Sequence, residues 1–261
     1  MPKKVLALHC HPDDIEFMMA GTLFLLKDAG FEIHYMNMAN GCYGSAVYSK
    51  DKAAVVRRDE AIQAARFLGA DFHESITDDL GVYYTPDLIR KTLSIIRTVA
   101  PDIVLLPSPE EYMEDHMNTC RVGVTAAFCR AMPSLQSIPD VAPVGNDLTI
   151  YHAMPYGLTD GMRNKIIPDF YIDIESVIEK KRTMLGYHKS QKEWLDESQG
   201  IDSYLDTMQE MSASMGSNSK TFNFAEGWRR HSHIGFSANE MKPLEEILSK
   251  KIAILPENNK A

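Results

Sequence analysis

Between Val5 and Leu106 the chain repeats one alternation, a short apolar run followed by a longer stretch whose apolar residues recur at helical spacing. Val5–His9 reads as a strand and Asp14–Ala29 as a helix that Gly30 stops. Glu32–Met38 reads as a second strand ending in an Asn40-Gly41 turn, Ala53–Leu68 as a helix closed by Gly69, and Asp71–His73 as a short third strand. Thr85-Pro86 opens a further helix to about Val99, with Pro at a favoured first-turn position, ahead of the buried strand Ile103–Leu106. His116–Ala131 and Glu175–His188 read as later helices, Leu148–His152 and Phe170–Ile174 as later strands. This repetition predicts an α/β fold, a Rossmann-like open and mostly parallel sheet with helices on both faces. Right-handed crossovers then set the Ile103 strand beside the Val5 strand. The crevice at their carboxyl ends is where such sheets place ligands.

At that crevice stands His9-Cys10-His11-Pro12-Asp13-Asp14-Ile15-Glu16. His11 and Asp14, three residues apart across a Pro-initiated turn, can point into one space. A divalent metal such as zinc accepts imidazole nitrogen and carboxylate oxygen together, and a hydrolytic site leaves one position open for water. Asp13 would lie beside that open position. A third ligand should come from the loop after the neighbouring strand, where Asp115-His116 stands. An aspartate beside a ligand histidine can also orient an imidazole from the outer shell. The alternatives are plainer: Asp13 and Asp14 as helix caps, and His116 at a helix start in an acidic surface loop.

The 261 residues, 44% of them hydrophobic, suit one domain with a core of about 1–191 and an irregular C-terminal extension, 192–261. A net charge of −9 without a Lys/Arg cluster argues against a nucleic-acid partner. The first apolar run is too short for a signal-peptide core, and no run is long enough to enter and cross a bilayer. Cys10, Cys42, Cys120 and Cys129 form no CxxC pair and fit reduced thiols, hence a cytoplasmic protein. No G-x-G-x-x-G or P-loop pattern marks a nucleotide site. Pro133, Pro139 and Pro143 predict a loop over Met132–Asp147, and Ser212–Lys220 reads as mobile from its Ser, Gly and Asn content.

His11-Pro12-Asp13-Asp14-Ile15-Glu16 with Ala20-Gly21-Thr22-Leu23 resembles the signature of the PIG-L/LmbE-like family of zinc-dependent N-deacetylases. Arg57-Arg58-Asp59-Glu60-Ala61 with Leu68-Gly69, then Asp115-His116, then His188-Lys189-Ser190-Gln191 continue the match. Beyond Gln191 it is weak, mainly Ala225-Glu226-Gly227-Trp228-Arg229. The resemblance implies a hydrolase that removes an N-acetyl group from an N-acetylglucosamine-type small glycoconjugate. It implies one Zn2+ per chain on His11, Asp14 and His116, with Asp13 as general base. Arg57 matches a residue at the substrate end of the pocket; its other reading is an i, i+3 ion pair with Glu60 on an exposed helix face. The oligomeric state is not readable, and a homo-oligomer is compatible.

One position departs from the family. A histidine often precedes the last zinc ligand by three residues and helps stabilise the oxyanion; here Met113 stands there, and a thioether donates no hydrogen bond. Tyr112, His152, His188, His231 and His233 are candidate replacements, with His152 and the His231-Ser232-His233 stretch foremost. Glu110, Glu111 and Glu114 make the same loop acidic and point to a cationic or strongly polar substrate group. Three rivals remain. His9-x-His11 also resembles the metal pair of an amidohydrolase barrel acting on another amide, although fewer than eight strands can be assigned and Asp13-Asp14 has no role there. Two histidines and a carboxylate can hold Fe(II) in an oxygenase. A catalytically impaired metal- or sugar-binding relative is the third, although it has little use for Asp13. Trp194 and Trp228 read as core or interface residues.

Overall fold

The first strand, β1 (Lys4–His9), buries both of its faces, which is why it reads as a continuous apolar run. Val5 and Ala7 pack toward α1 (Asp14–Met18), α2 (Ala20–Asp28) and α3 (Lys50–Leu68). Leu6 and Leu8 pack toward α4 (Pro86–Val99) and α5 (Glu114–Phe128) on the opposite face. The neighbouring strands β2 (Glu32–Asn37), β3 (Asp71–His73), β4 (Ile103–Leu106) and β5 (Thr149–Ala153) run parallel to it. β6 (Phe170–Asp173), β7 (Ala225–Arg230) and β8 (Ile252–Ala253) complete the sheet with antiparallel pairings. This computed structural model describes residues 3–191 and 204–254, and orders the strands β3-β2-β1-β4-β5-β7-β6-β8. The sheet is open, with helices on both faces, as the alternation of elements predicts; it is not an amidohydrolase barrel. β4 lies beside β1 with Val5 opposite Ile103 and Ala7 opposite Leu105. The two carboxyl ends therefore adjoin.

Three expectations need correction. The single helix over Asp14–Ala29 breaks at Met19, whose φ of −131° leaves the helical range and separates α1 from α2. The stretch after residue 191 is irregular only in part: residues 231–242 carry no helix or strand, but other described segments do. It supplies α7 (Tyr204–Ser219) and β7, and β7 sits inside the sheet between β5 and β6. Trp228 anchors that strand, fully buried, with Nε1 donating to Thr22 Oγ1 at 2.9 Å. Ser212–Lys220 is mostly helix rather than a mobile loop. Its small residues serve close packing: a Cβ on Gly216 would come within 2.3 Å of the Asn223 carbonyl oxygen. The proline-bearing Met132–Asp147 stretch is irregular, as expected. Trp194 lies outside the described residues.

Candidate active site

The loop leaving β1 turns sharply. Asp14 N donates to the His11 carbonyl at 3.2 Å, and Asn37 Nδ2 from β2 holds the same carbonyl at 2.7 Å. Asp13, between them, has φ 109° and ψ −27°, a left-handed conformation costly for a residue with a Cβ, on the order of 1–3 kcal/mol. It occupies the N-cap of α1 yet makes no capping hydrogen bond. Capping therefore does not explain this aspartate, and the strained turn turns its carboxylate to other partners.

His11, Asp14 and His116 meet at one point. His11 Nδ1 lies 3.2 Å from His116 Nε2 and 3.6 Å from Asp14 Oδ2, and His116 Nε2 lies 3.2 Å from Asp14 Oδ2. A tetrahedral ion with bonds of about 2.0–2.1 Å sets its ligands roughly 3.3 Å apart, so this donor triangle fits a divalent metal. His9 is a competing donor, its Nδ1 being 2.9 Å from the same Asp14 oxygen. Its Nδ1 is also 2.9 Å from the Cys10 amide, whose N–H it accepts. Only His11 and His116 face a carboxylate through the far ring nitrogen, the arrangement that orients metal-bound imidazoles. Asp115 Oδ2 stands 3.3 Å from His11 Nε2, so this aspartate serves the other histidine rather than its own neighbour. Glu111 Oε2 is 2.5 Å from His116 Nδ1, a close charge contact at an angle poor for a hydrogen bond. Burial opposes charge on both imidazoles, but Cys10, Asp115 and Asp14 around His11, and Asp14 and Glu111 around His116, outweigh it and raise both well above the ordinary value. Burial likewise opposes the Asp14 carboxylate, yet His116, His9 and His11 hold its pKa well below the usual range.

Asp13 is clamped beside this triangle. Tyr204 Oη donates to Asp13 Oδ2 at 2.5 Å, and Arg57 Nη2 approaches Oδ1 at 3.4 Å while also donating to the Pro12 carbonyl. Burial raises the Asp13 pKa, and Arg57 opposes that rise without cancelling it. Arg57 is buried, and the alternative ion pair with Glu60 does not form; Glu60 instead accepts from Ser190 N and Ser190 Oγ at 2.9 and 2.6 Å. Two glycines make room for the guanidinium. A Cβ at Gly44 would lie 2.2 Å from Arg57 Nη1, and at Gly41, itself at φ +76°, 2.6 Å from Arg57 Nε. The Nε of Arg57 is buried, with no hydrogen-bond partner among the described residues.

These groups line a cavity of about 590 Å³ together with Phe17, Tyr43, Leu80, Tyr112, Met113 and Tyr156, among others. Met113 does face it. His152 and His231 do not. They contact each other at 2.9 Å, His152 Nδ1 faces the Pro107 carbonyl at 3.0 Å, and both line a separate cavity with Cys120, Arg121 and Arg229. His233 lines neither cavity, and His188 is buried with Nε2 3.0 Å from Glu16 Oε1. Of the candidate replacements only Tyr112 lines the cavity, its ring centroid 5.8 Å from that of His116. The acidic loop is largely satisfied internally: Glu110 pairs with Arg229 at 2.9 Å, and Glu111 serves His116 and the Tyr156 amide. Glu111 and Tyr204 carry no motif that marks them in the sequence. Glu111 is visible only as one acid among three, and Tyr204 not at all.

Residues 6–127 match the family model described as "PIG-L: GlcNAc-PI de-N-acetylase". Diacetylchitobiose deacetylase of Thermococcus kodakarensis is 28% identical over 195 residues, 72% of this chain and 70% of its own length. A probable N-acetyl-alpha-D-glucosaminyl L-malate deacetylase 2 of Bacillus cereus is 26% identical over 206 residues, 74% of this chain and 86% of its own. Among solved structures, N,N'-diacetylchitobiose deacetylase from Pyrococcus horikoshii superposes with a TM-score of 0.75 at 23% identity, covering 93% of this chain and 88% of that one. GalB, the 4-carboxy-2-hydroxymuconate hydratase of Pseudomonas putida, gives 0.72 at 20% identity, covering 92% and 99%. These two superpositions speak to the fold alone. The segment that matches the PIG-L family model runs from β1 through the helix that carries His116, and so brings both halves of the donor triangle together.

Proposed function

We propose that the chain is a zinc-dependent N-deacetylase acting on a small N-acetylglucosamine-type glycoconjugate, its 261 residues working as one domain. The observation that carries this reading is the pairing of a three-donor triangle with a separately clamped carboxylate in one cavity. Two imidazole nitrogens and one carboxylate oxygen suit zinc. His11, Asp14 and His116 would hold the divalent ion, which would supply Lewis acidity for activating water and polarising an amide carbonyl. Asp13 accepts the proton of the attacking water and passes it to the amine nitrogen as the C–N bond breaks. Tyr204 and Arg57 hold the Asp13 carboxylate in place for both transfers. Asp115 and Glu111 orient the two imidazoles. In place of the missing histidine, the Tyr112 phenol offers a donor to the oxyanion; an ordinary phenol titrates near 10 and so keeps its proton at neutral pH.

The cavity's charge favours a neutral substrate. Asp13, Asp14, Asp79, Glu111 and Glu114 line it, and Arg57, the sole permanent cation among the described lining residues, is already engaged with Asp13. Tyr43, Tyr112 and Tyr156 supply aromatic faces for a sugar ring. Both curated relatives are named as deacetylases of N-acetylated sugars, one of which carries an anionic malate. Four buried free cysteines support a reducing, cytoplasmic setting; among the described residues no helix is long and apolar enough to cross a membrane. The test is acetate and amine release from zinc-loaded protein, offered N-acetylglucosamine, diacetylchitobiose and an N-acetylglucosaminyl malate. Turnover should be metal-dependent and faster on the neutral sugars. A hydratase shares this fold, so hydration of an unsaturated carboxylate without any amide cleavage would overturn the reading.

A further inference from the structure

Two acid-x-histidine sequences lie side by side at the free edge of the sheet. Glu32-Ile33-His34 opens β2, and Asp71-Phe72-His73 makes up β3. In a strand, residues i and i+2 share a face. The register sets His34 directly opposite Asp71, so all four polar side chains stand on the same face. His34 Nε2 lies 3.0 Å from Glu32 Oε1, and His34 Nδ1 lies 2.9 Å from His73 Nε2. One ligand atom from each of Glu32, His34 and Asp71 falls within 4.8 Å of the other two. None of the four lines the cavity that holds the His11 triangle.

The ordinary contacts of this cluster leave it under-satisfied. Lys4 Nζ approaches Glu32 Oε1 at 3.4 Å, an ion pair with both partners about a third exposed and so of small value. The Asp71 carboxylate makes no hydrogen bond or ion pair with another described residue. Between His34 and His73 only one proton can be shared. Two carboxylates and two neutral imidazoles carry a charge of −2 in total, which matches a divalent cation. The mixture of nitrogen and oxygen donors selects zinc, nickel or cobalt over magnesium or calcium.

We propose that the β2–β3 edge binds a second divalent transition-metal ion through Glu32, His34 and Asp71, with His73 on the other nitrogen of the His34 ring to fix its orientation. The ion fastens β3, a three-residue strand with one paired edge, to its neighbour. Short, exposed edges are where sheets fray and pair wrongly, so a metal clip there acts on stability rather than on turnover.

The test counts metal by difference. Metal-stripped full-length chain is titrated with Zn2+ at neutral pH by calorimetry, with elemental analysis after dialysis, beside Asp71→Asn and His34→Gln. Each variant should bind one equivalent fewer than the unaltered chain, and amide exchange in β3 should slow with metal in the unaltered chain but in neither of these two variants. Asp71 is exposed, so its variant carries the test even if His34→Gln folds poorly. Unchanged stoichiometry in Asp71→Asn, or β3 exchange that ignores metal in the unaltered chain, overturns the proposal. His116→Ala should remove a different equivalent and leave the β3 response intact, which separates failure of this site from failure of the cavity site.

Discussion

At the scale of single residues the cavity separates three tasks: holding an ion, moving a proton and fixing the group that moves it. His116→Ala leaves two donors of the triangle and should abolish tight metal binding, read by elemental analysis of the dialysed protein. Asp13→Asn keeps the shape of the side chain and removes the proton acceptor. The variant should retain metal and lose at least about a hundredfold in turnover; if metal is lost instead, Asp13 coordinates. Tyr204→Phe removes one charge-assisted hydrogen bond, worth about 1.5–3 kcal/mol, from the carboxylate oxygen it holds at 2.5 Å. Turnover should fall roughly ten- to hundredfold at unchanged KM and unchanged metal content. A rise in KM alone would make Tyr204 a substrate contact instead. His11, Asp14 and Asp13 were legible in the sequence because a strand end, a proline turn and a helix start are local features. His116 was legible through topology, since parallel crossovers put the loop after β4 beside the loop after β1. Tyr204 was not legible, because 191 residues separate it from Asp13 and nothing near it in the chain announces the contact.

At the scale of elements, local periodicity reveals strands and helices but not the order in which distant ones pair. The alternation through β4 follows from it, while the place of β7 between β5 and β6 does not. What fixes β7 there is a buried polar joint. Glu226 accepts from the amides of Gly21 and Thr22 at the start of α2, at 2.8 and 2.7 Å. It also accepts from Lys181 Nζ of α6 (Ile178–Leu185) at 2.7 Å. Both charged side chains are buried, so the pair lives or fails together. Glu226→Gln would leave the Lys181 ammonium without its counter-charge and set an amide N–H against a backbone N–H. Unfolding in urea should show a loss of about 3–5 kcal/mol, the usual cost of breaking a buried pair from one side. A loss under about 1 kcal/mol would mean that water or another side chain reaches the joint.

At the scale of the whole molecule, the same convergence of strand ends that builds the cavity also builds a pH-sensitive seam where β5 meets β7. His152 lies opposite Arg229 across these antiparallel strands. Burial drives its pKa down to about 4; its bond to the Pro107 carbonyl opposes the fall, while His231 and Arg229 add to it. The folded protein therefore keeps this imidazole neutral at pH values where the unfolded chain, with an ordinary value near 6.5, binds a proton. Stability from this group is complete above about pH 6.5 and falls as the pH drops toward 4. The full loss is on the order of 3 kcal/mol, because each pH unit between the folded and unfolded values contributes about 1.36 kcal/mol. His231, also lowered by burial, adds to the loss in the same direction. Other groups titrate over this range as well, so a difference isolates the seam. His152→Asn retains an amide able to reach the Pro107 carbonyl but has no proton to gain. Thermal unfolding of this variant between pH 6.5 and 4.5 should show a shallower fall in Tm than the unaltered chain. Parallel Tm curves would place the acid sensitivity elsewhere in the fold. A steeper fall in the variant would mean that His152 is charged when folded.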